Sequence, residues 1–383
     1  MQREKLLLIP GPTPIHPRIT NALSQPTISH VSPVFVEEFG QALKNLKEIV
    51  FCRTGVPFLV AGAGTLAMEM AVLNTLQRGE RLLVLSQGYF GLRMKEIAES
   101  FDIPCDILES EWGQTVSSEA LHKQLMDNSY GAVVSTHVDT ATGACAPIQK
   151  YAEILRSVDS LFIVDGVCAT GGIEENMDKW GIDVVLTAAQ KCFGVPPGLA
   201  VLVLSDEAMG RRRRMDRIPA YYADLMRWLP IMKDPSRYFS TPCVNEIRAF
   251  LEGTKIILEE GLETRFKRHQ KIARAFRSGL KALGFRFFTE EEFLAETLTV
   301  AVYPSGVRDG IFRSTLFTNG VVVAGGLGPL AGKVFRIGHM GNLSFSQVEF
   351  AVAAIEKTLT SLAYLFELGC GVDAVKKSLA EEG

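Results

Sequence analysis

The sequence predicts an α/β protein, with a large domain built on a mostly parallel sheet and a smaller C-terminal α+β domain. Up to about residue 245, short apolar segments alternate with amphipathic segments of helical spacing, which is typical of βαβ units. The apolar segments are nearly continuous, as expected for parallel strands that are buried on both faces. Beyond them come two long helical segments, which indicate a second domain.

The elements of the large domain follow from local composition. Residues 1–20 are predicted to form an extended arm, because the prolines between Pro10 and Pro17 are incompatible with a helix. The large domain is predicted over residues 21–258. Its helices are expected at 33–51, 66–76, 92–101 and 148–157, and its strands at 58–61, 81–85, 132–136, 161–165, 184–187 and 199–204.

The small domain is predicted over residues 259–383, after a helical segment at 246–261 that leads up to it. A charged helix is expected to end at Gly284, since glycine commonly follows the last turn of a helix. The remaining strands are expected at 297–303, 321–324 and 334–337, and a last helix at 346–366 closes the chain.

Composition excludes several classes of protein. Lys and Arg total 40 and Asp and Glu total 43, so the net charge of −3 argues against a general nucleic-acid binder. The arginine run at 211–214 is then interpreted as a solvated helix face. The seven cysteines show no C-x-x-C spacing, which predicts free thiols in the cytoplasm. No apolar stretch has the length of a signal peptide or a membrane span, and no metal site is predicted.

The first candidate site is the glycine-containing turn at residues 62–67, between a predicted strand and a predicted helix. Unpaired N–H groups and the dipole at a helix N-terminus favour a phosphate there. A dinucleotide would also need an acidic residue about 20 positions further on, whereas the next strand ends in Ser86 and Gln87. A purely structural turn and a monophosphate site both remain open, and the hydroxyl of Thr65 favours the phosphate.

Two further candidates follow buried strands. Asp165 ends the apolar segment 161–165, at the strand edge where ligands bind in α/β sheets, although it could simply cap the next loop. Lys191 follows another apolar strand and precedes a rigid loop, where an amine becomes a nucleophile, although surface lysines are more common. Pyridoxal 5′-phosphate requires a phosphate turn, an aspartate at its ring nitrogen and a lysine for its imine. The order of the three motifs predicts this cofactor.

The chain resembles the class V (fold type I) aminotransferases, specifically the alanine–glyoxylate and serine–pyruvate aminotransferase group. The similarity extends over essentially the whole chain and implies a large domain with a seven-stranded sheet. The matching segments are 10–14, 62–65, 136–143, 164–167, 190–198, 240–242, 325–329 and 336–339.

The resemblance implies a role for each matching position. Lys191 would form the imine and move the proton, Asp165 would pair with the pyridinium nitrogen, and Arg336 would bind the substrate α-carboxylate. Val167 and Phe90 would cover the two ring faces, although the family often has tryptophan at the position of Phe90. The other implied cofactor contacts are Ala63, Gly64, Thr65 and Gln190 at the phosphate, Thr140 near O3′ or the substrate, and Tyr238 and Thr241 at the phosphate of the neighbouring subunit.

Structural alternatives remain open for several of these residues. Phe90 and Tyr238 could be ordinary packing residues, and Arg336 could belong to a structural ion pair. His137 and His339 are interpreted as hydrogen-bonded core histidines. The contacts of Tyr238 and Thr241 with a second subunit imply a homodimer with shared active sites.

The implied function is a ping-pong transamination from alanine or serine to glyoxylate or pyruvate. Aspartate, 2-aminoethylphosphonate, ureidoglycine or pyridoxamine are alternative donors. A cysteine desulfurase is disfavoured, because residues 325–333 contain no cysteine. A dinucleotide oxidoreductase would leave Lys191 without a role, and residues 328–333 do not have the spacing of a P-loop. A non-catalytic interaction protein on the same scaffold is disfavoured because every expected catalytic position is filled.

Overall fold

The structure, a computed structural model, describes residues 5–381. The first four residues of the predicted arm and the last two of the predicted small domain lie outside the described residues. The helices α1–α14 span Pro17–Leu23, Pro33–Ile49, Gly64–Leu73, Tyr89–Ser100, Ser118–Asp127, Ile148–Leu155, Met177–Trp180, Asp206–Arg214, Leu225–Lys233, Val244–Glu260, Leu262–Ala282, Asp309–Thr318, Phe345–Ser361 and Cys370–Ala380. The strands β1–β13 span Leu6–Leu7, Val56–Gly62, Leu82–Ser86, Cys105–Glu109, Ala132–Thr136, Leu161–Asp165, Val184–Ala188, Gly198–Leu204, Arg286–Phe287, Leu298–Val302, Val321–Val322, Ala324–Gly325 and Val334–Gly338.

The large sheet has seven strands in the order β2-β8-β7-β6-β5-β3-β4. Strands β3 to β7 run parallel to one another, and β8 runs antiparallel to both of its neighbours. The prediction of a mostly parallel sheet is therefore confirmed. Strands β5, β6 and β7 are buried along their whole length, as their continuous apolar sequences indicated.

The C-terminal part of the chain forms a second, antiparallel sheet in the order β12-β13-β10-β9. Helices α11, α12, α13 and α14 contribute to its separate hydrophobic core. Strand β1 of the N-terminal arm pairs in parallel with β11, so this part of the arm is attached to the small-domain side. The proposed domain boundary between residues 258 and 259 falls in the last turn of α10, just before Gly261 separates α10 from α11.

Several sequence-based expectations differ from the structure. The arginine run at 211–214 is not simply a solvated helix face, because Arg212 is 3% exposed and forms an ion pair with Asp224 at 2.6 Å. Helix α1 begins at Pro17, because proline fits the first helical position, where no N–H is needed; the expectation that the prolines exclude a helix up to residue 20 was wrong. The expected strand at 321–324 is divided into two short strands in different sheets. Strand β4 and helices α5, α7, α9 and α12 were not predicted, and β4 is half-buried and lacks the continuous apolar pattern of its neighbours.

A further difference is helix α14, which follows the helix that was expected to close the chain. The N–H groups of Gly371 and Val372 donate to Glu356 Oε1, at 2.8 and 3.0 Å. This carboxylate belongs to α13, so the cap at the start of α14 comes from another helix rather than from the local sequence. Within residues 5–381, no helix is long and apolar enough to cross a membrane.

Candidate active site

The predicted site residues lie at one edge of the large sheet. Asp165 is the last residue of β6, and Lys191 follows the end of β7 by three residues. The antiparallel strand β8 begins at the same edge and pairs there with Gly62, the last residue of β2. The turn before α3, the acidic group and the amine therefore meet where the parallel strands end, which is where α/β sheets bind ligands.

Asp165 is a buried carboxylate. Its Oδ1 accepts a hydrogen bond from the N–H of Val167 at 3.1 Å, the loop contact that a capping role would predict. Burial raises the pKa of Asp165 from its ordinary 3.8 to about 6, and the nearby carboxylates of Asp139 and Glu175 act in the same direction. A positively charged ring nitrogen would relieve this penalty.

Lys191 is half-buried, and its Nζ donates to the carbonyl oxygen of Pro10. The next residue back, Gln190, has a buried side-chain oxygen without a hydrogen-bond partner. An unpaired buried polar atom is costly unless a ligand or a water satisfies it. The segment around Lys191 is therefore not an ordinary solvent-exposed loop.

The turn at residues 62–65 leads directly into α3. Ala63 is the N-cap, and no side chain caps the helix, so its first N–H groups point to an exposed turn. A Cβ atom added to Gly64 would lie 3.2 Å from Ala188 Cβ and 3.4 Å from Val167 Cγ2. The turn thus lies against the end of β7 and the loop after Asp165, with Thr65 exposed.

The first turn of α4, which contains Phe90, is tied to the Thr140 loop by Asp139, a residue for which the sequence suggested no role. The Phe90 N–H donates to Asp139 Oδ2 at 2.9 Å, and the N–H groups of Ala141 and Thr142 donate to Oδ1 at 2.8 and 3.0 Å. An aspartate bonded to N–H groups two and three residues later forms a recognisable local turn. The sequence could have indicated this local turn. It could not have indicated the bond to Phe90, which is 49 residues away.

Phe90 itself is half-buried rather than part of the core. The guanidinium carbon of Arg93 lies 4.8 Å from the centre of its ring. A cation over an aromatic face stabilises the position of the ring. Phe90 therefore packs against Arg93, but its half-buried ring is not enclosed as a core side chain would be.

Arg336 is 9% exposed and lies in β13. Its Nε donates to the carbonyl of Gly325 at 2.7 Å, and its Nη1 donates to the carbonyl of Thr140 at 3.2 Å. Burial lowers the pKa of Arg336, and no carboxylate of the described residues forms an ion pair with it. Both of its hydrogen-bond acceptors are neutral carbonyls, and the nearby Asp139 carboxylate acts on it only through its charge, so the guanidinium can still pair with an incoming carboxylate.

Thr140 and the two histidines occupy polar interior positions. Thr140 Oγ1 lies 2.9 Å from Cys168 Sγ, and Cys168 directly follows Val167 in the sequence. His137 Nδ1 contacts Glu175 Oε1 at 2.7 Å, and His339 Nε2 contacts the hydroxyl of Thr299 at 2.9 Å. Both histidines are buried and hydrogen-bonded, which agrees with their interpretation as core residues.

Tyr238 and Thr241 do not join the other predicted residues within the described chain. Both are exposed, Tyr238 by 66%, and the Tyr238 ring lies 5.6 Å from the ring of His30. Tyr238 is therefore not buried in the core of this chain, although its ring packs against that of His30. The described residues contain no cluster of three or more His, Cys, Asp or Glu side chains that could hold a metal ion.

The residues present fit pyridoxal 5′-phosphate. The buried carboxylate with a raised pKa suits a protonated ring nitrogen, the uncapped helix N-terminus suits a phosphate, and Lys191 supplies an amine close to both. Val167 and Phe90, each half-buried, leave apolar surface for a flat ring.

Comparison with known proteins supports this interpretation. The family model described as Aminotransferase class-V matches residues 21–345. An uncharacterized aminotransferase of Methanocaldococcus jannaschii is 37% identical over 99% of this chain and 98% of its own length. An alanine–glyoxylate aminotransferase of Saccharomyces cerevisiae is 33% identical over 94% of this chain and 96% of its own. An L-aspartate–glyoxylate aminotransferase of Paracoccus denitrificans is 32% identical over 98% and 96%.

A solved structure shows the same architecture. The crystal structure of ureidoglycine–glyoxylate aminotransferase from Bacillus subtilis has a TM-score of 0.93 with this chain, at 28% identity. The superposition covers 99% of this chain and 98% of the other.

Proposed function

Because the chain belongs to the class V aminotransferases, which have fold type I and depend on pyridoxal 5′-phosphate, we propose that it moves an amino group from alanine or serine to glyoxylate or pyruvate. One observation carries the substrate part of this proposal. Arg336 is buried without an ion-pair partner, and it donates to the carbonyl of Thr140, whose neighbour Asp139 accepts the N–H of Phe90. Such a site binds an α-carboxylate, the group that amino acids and 2-oxo acids share.

The names of related proteins support glyoxylate as the acceptor. The relatives from Saccharomyces cerevisiae, Paracoccus denitrificans and Bacillus subtilis are all named for glyoxylate, whereas their named donors are alanine, aspartate and ureidoglycine. Aspartate is therefore the strongest alternative donor, since the relative named for it is as similar to this chain as the one named for alanine.

Each of the site residues has a separate role in the proposed ping-pong reaction. The chemistry supplied by bound pyridoxal phosphate is electron withdrawal from the substrate Cα and storage of the amino group between two half-reactions. Asp165 holds positive charge at the ring nitrogen, and Val167 and Phe90 fix the ring plane. Arg336 orients the substrate through its carboxylate. Lys191 Nζ would accept the proton from the substrate Cα and deliver it to the C4′ carbon of the cofactor.

A panel of donors tests the proposed substrate. Each amino acid is mixed in single turnover with the cofactor-loaded enzyme, and the absorbance change from the aldehyde to the amine form is followed without an acceptor. We expect alanine or serine to react at least about tenfold faster than aspartate, ureidoglycine, 2-aminoethylphosphonate and pyridoxamine. The fastest half-reaction identifies the donor, and a faster reaction with aspartate would replace alanine and serine by aspartate.

Arg336→Ala should raise KM for every amino acid by about 10²-fold or more, because a charged bidentate pair contributes roughly 3 kcal/mol. A primary amine without a carboxylate, such as ethylamine, should be affected much less. Arg277→Ala is the matched control, since Arg277 is half-buried and also bonded to neutral groups, the Ala295 carbonyl and the Thr299 hydroxyl. An equal loss for donors with and without a carboxylate would contradict the role of Arg336.

The proposal includes a homodimer in which Tyr238 and Thr241 complete the phosphate site of the partner subunit. It is supported by the exposure of both residues, which leaves their hydroxyl groups free to contact another chain. Sedimentation of the cofactor-loaded enzyme at the mass of a single chain would contradict it. A cytoplasmic location is also proposed, because all seven cysteines are unpaired thiols. Recovery of the protein from an oxidising compartment would contradict that location.

A further inference from the structure

The N-terminal arm runs from the small sheet to the amine of Lys191. The N–H of Leu8 donates to the carbonyl of Val322 at 2.8 Å, and the N–H of Gly338 donates to the carbonyl of Leu8 at 2.9 Å. A Cβ atom on Gly338 would lie 2.4 Å from the carbonyl oxygen of Ile9, so the arm presses directly on the end of β13. Gly338 is two residues beyond Arg336, which places the arm beside the proposed carboxylate site.

The next residues of the arm contact Lys191 along its length. Pro10 accepts the hydrogen bond from Nζ, and a Cβ atom on Gly11 would lie 2.6 Å from Lys191 Cδ and 2.9 Å from Cε. The hydroxyl of Thr13 donates to the carbonyl of Lys191 at 2.8 Å, and its N–H donates to the carbonyl of Gln190 at 3.2 Å. Thr13 is only 2% exposed, so water does not compete for these bonds.

We propose that Pro10, Gly11 and Thr13 are positioning residues for the amine of Lys191. The Pro10 carbonyl holds the amine whenever it is not covalently bound, Gly11 leaves space for the lysine chain, and Thr13 fixes the backbone that carries it. The motif at residues 10–14, which matched the family and was predicted to lie in an extended arm but was given no role of its own, would thus belong to the active site. This inference rests on the proposed function, because it takes Lys191 as the residue that binds the cofactor covalently.

Thr13 can be tested with two substitutions that separate its hydroxyl from its methyl group. Thr13→Val keeps the shape and removes the donor, whereas Thr13→Ser keeps the donor and removes the methyl group. Cofactor-free protein is mixed with pyridoxal phosphate, and covalent attachment is followed by absorbance, with borohydride trapping and peptide mass spectrometry to identify Lys191. We expect Thr13→Val to slow attachment about fivefold, which is the effect of one net hydrogen bond, and Thr13→Ser to stay within about twofold.

A second measurement needs no cofactor. Labelling of Lys191 by an amine-acylating reagent in the cofactor-free protein should be several-fold faster in Thr13→Val, because the amine is held less firmly, and unchanged in Thr13→Ser. If Thr13 acted only through packing, the ranking would be reversed and the serine variant would be the altered one. That ranking, or a valine variant equal to wild type in both measurements, would overturn the inference.

Gly11→Ala is a stronger perturbation, and Gly79→Ala is its matched control. Both glycines have positive φ angles, +112° and +90°, but a Cβ atom on Gly79 would meet no atom within 4 Å. Both variants therefore share the backbone strain, and only Gly11→Ala displaces Lys191. We expect attachment to slow by about tenfold or more in Gly11→Ala alone. Equal rates in the two variants would overturn the inference, whereas a wild type that forms no adduct at Lys191 would overturn the proposed function instead.

Discussion

Lys191→Ala is expected to lower turnover by at least about 10⁴-fold, because the variant loses both the covalent attachment point and the base at the substrate Cα. The amine follows the end of a buried strand, and among the described residues it donates a hydrogen bond to the carbonyl of Pro10. No other lysine occurs between residues 180 and 232, so no neighbour in that part of the sequence replaces it. The measurement is kcat with alanine and glyoxylate, together with the visible spectrum of the protein after addition of pyridoxal 5′-phosphate.

The controls for this variant separate chemistry from folding. Lys179→Ala removes an exposed lysine from α7 and should leave turnover unchanged. Addition of a small primary amine to Lys191→Ala should restore part of the activity if the missing group is the base, since Lys191 is only half-buried and a small molecule can approach its position. Wild-type turnover by Lys191→Ala would contradict the assignment of this residue.

The parts of the site that the sequence predicted are those with local signals. Strand β6 ends in Asp165 and β7 precedes Lys191, and both strands are recognisable because their apolar residues are contiguous. Arg336 was identified from the resemblance, and its lack of an ion pair became visible only in three dimensions. Sequence patterns report which residues are near one another in the chain, and that information was enough to identify these two strands.

The features that were missed depend on contacts between distant segments. Asp139 accepts a hydrogen bond from the N–H of Phe90 at the start of α4, and Thr13 donates to Lys191 across 178 residues. Helix α14 is capped by Glu356 of α13. In each case the donor and the acceptor are ordinary residues in their own segments, so composition and periodicity give no indication of the pair.

Asp165→Asn is expected to have opposite effects on catalysis and on stability. A neutral amide does not hold positive charge at the ring nitrogen, so turnover should fall by about 10²- to 10³-fold, the usual effect of losing one electrostatic partner of the reacting group. The cofactor-free protein should become more stable at pH 8, because the variant no longer buries a carboxylate. The amide oxygen can still accept the hydrogen bond from Val167.

The pH dependence fixes the sign of the stability effect. Burial raises the pKa of Asp165 from 3.8 to about 6, so the folded protein binds a proton at this carboxylate more tightly than the unfolded chain does. Below pH 3.8 the group is protonated in both states and costs nothing. As the pH rises through 3.8 toward 6, the unfolded chain ionises first and the free energy of unfolding falls, by on the order of 3 kcal/mol in total. Urea unfolding of both cofactor-free proteins should therefore show a gain for Asp165→Asn at pH 8 that is lost near pH 4.

Asp183→Asn provides the control that separates the two effects. Asp183 is also a carboxylate whose pKa is raised by burial, but it bonds to the N–H of Phe162 and the hydroxyl of Ser205, at the opposite ends of their strands from the proposed site. Its replacement should alter stability without a comparable loss of turnover. If Asp165→Asn were less stable than wild type at pH 8, or retained full turnover, the carboxylate would not be a group kept for the cofactor at a cost in stability. A buried acid that weakens the empty protein and is required by the loaded one is what a binding site for a cationic ring predicts.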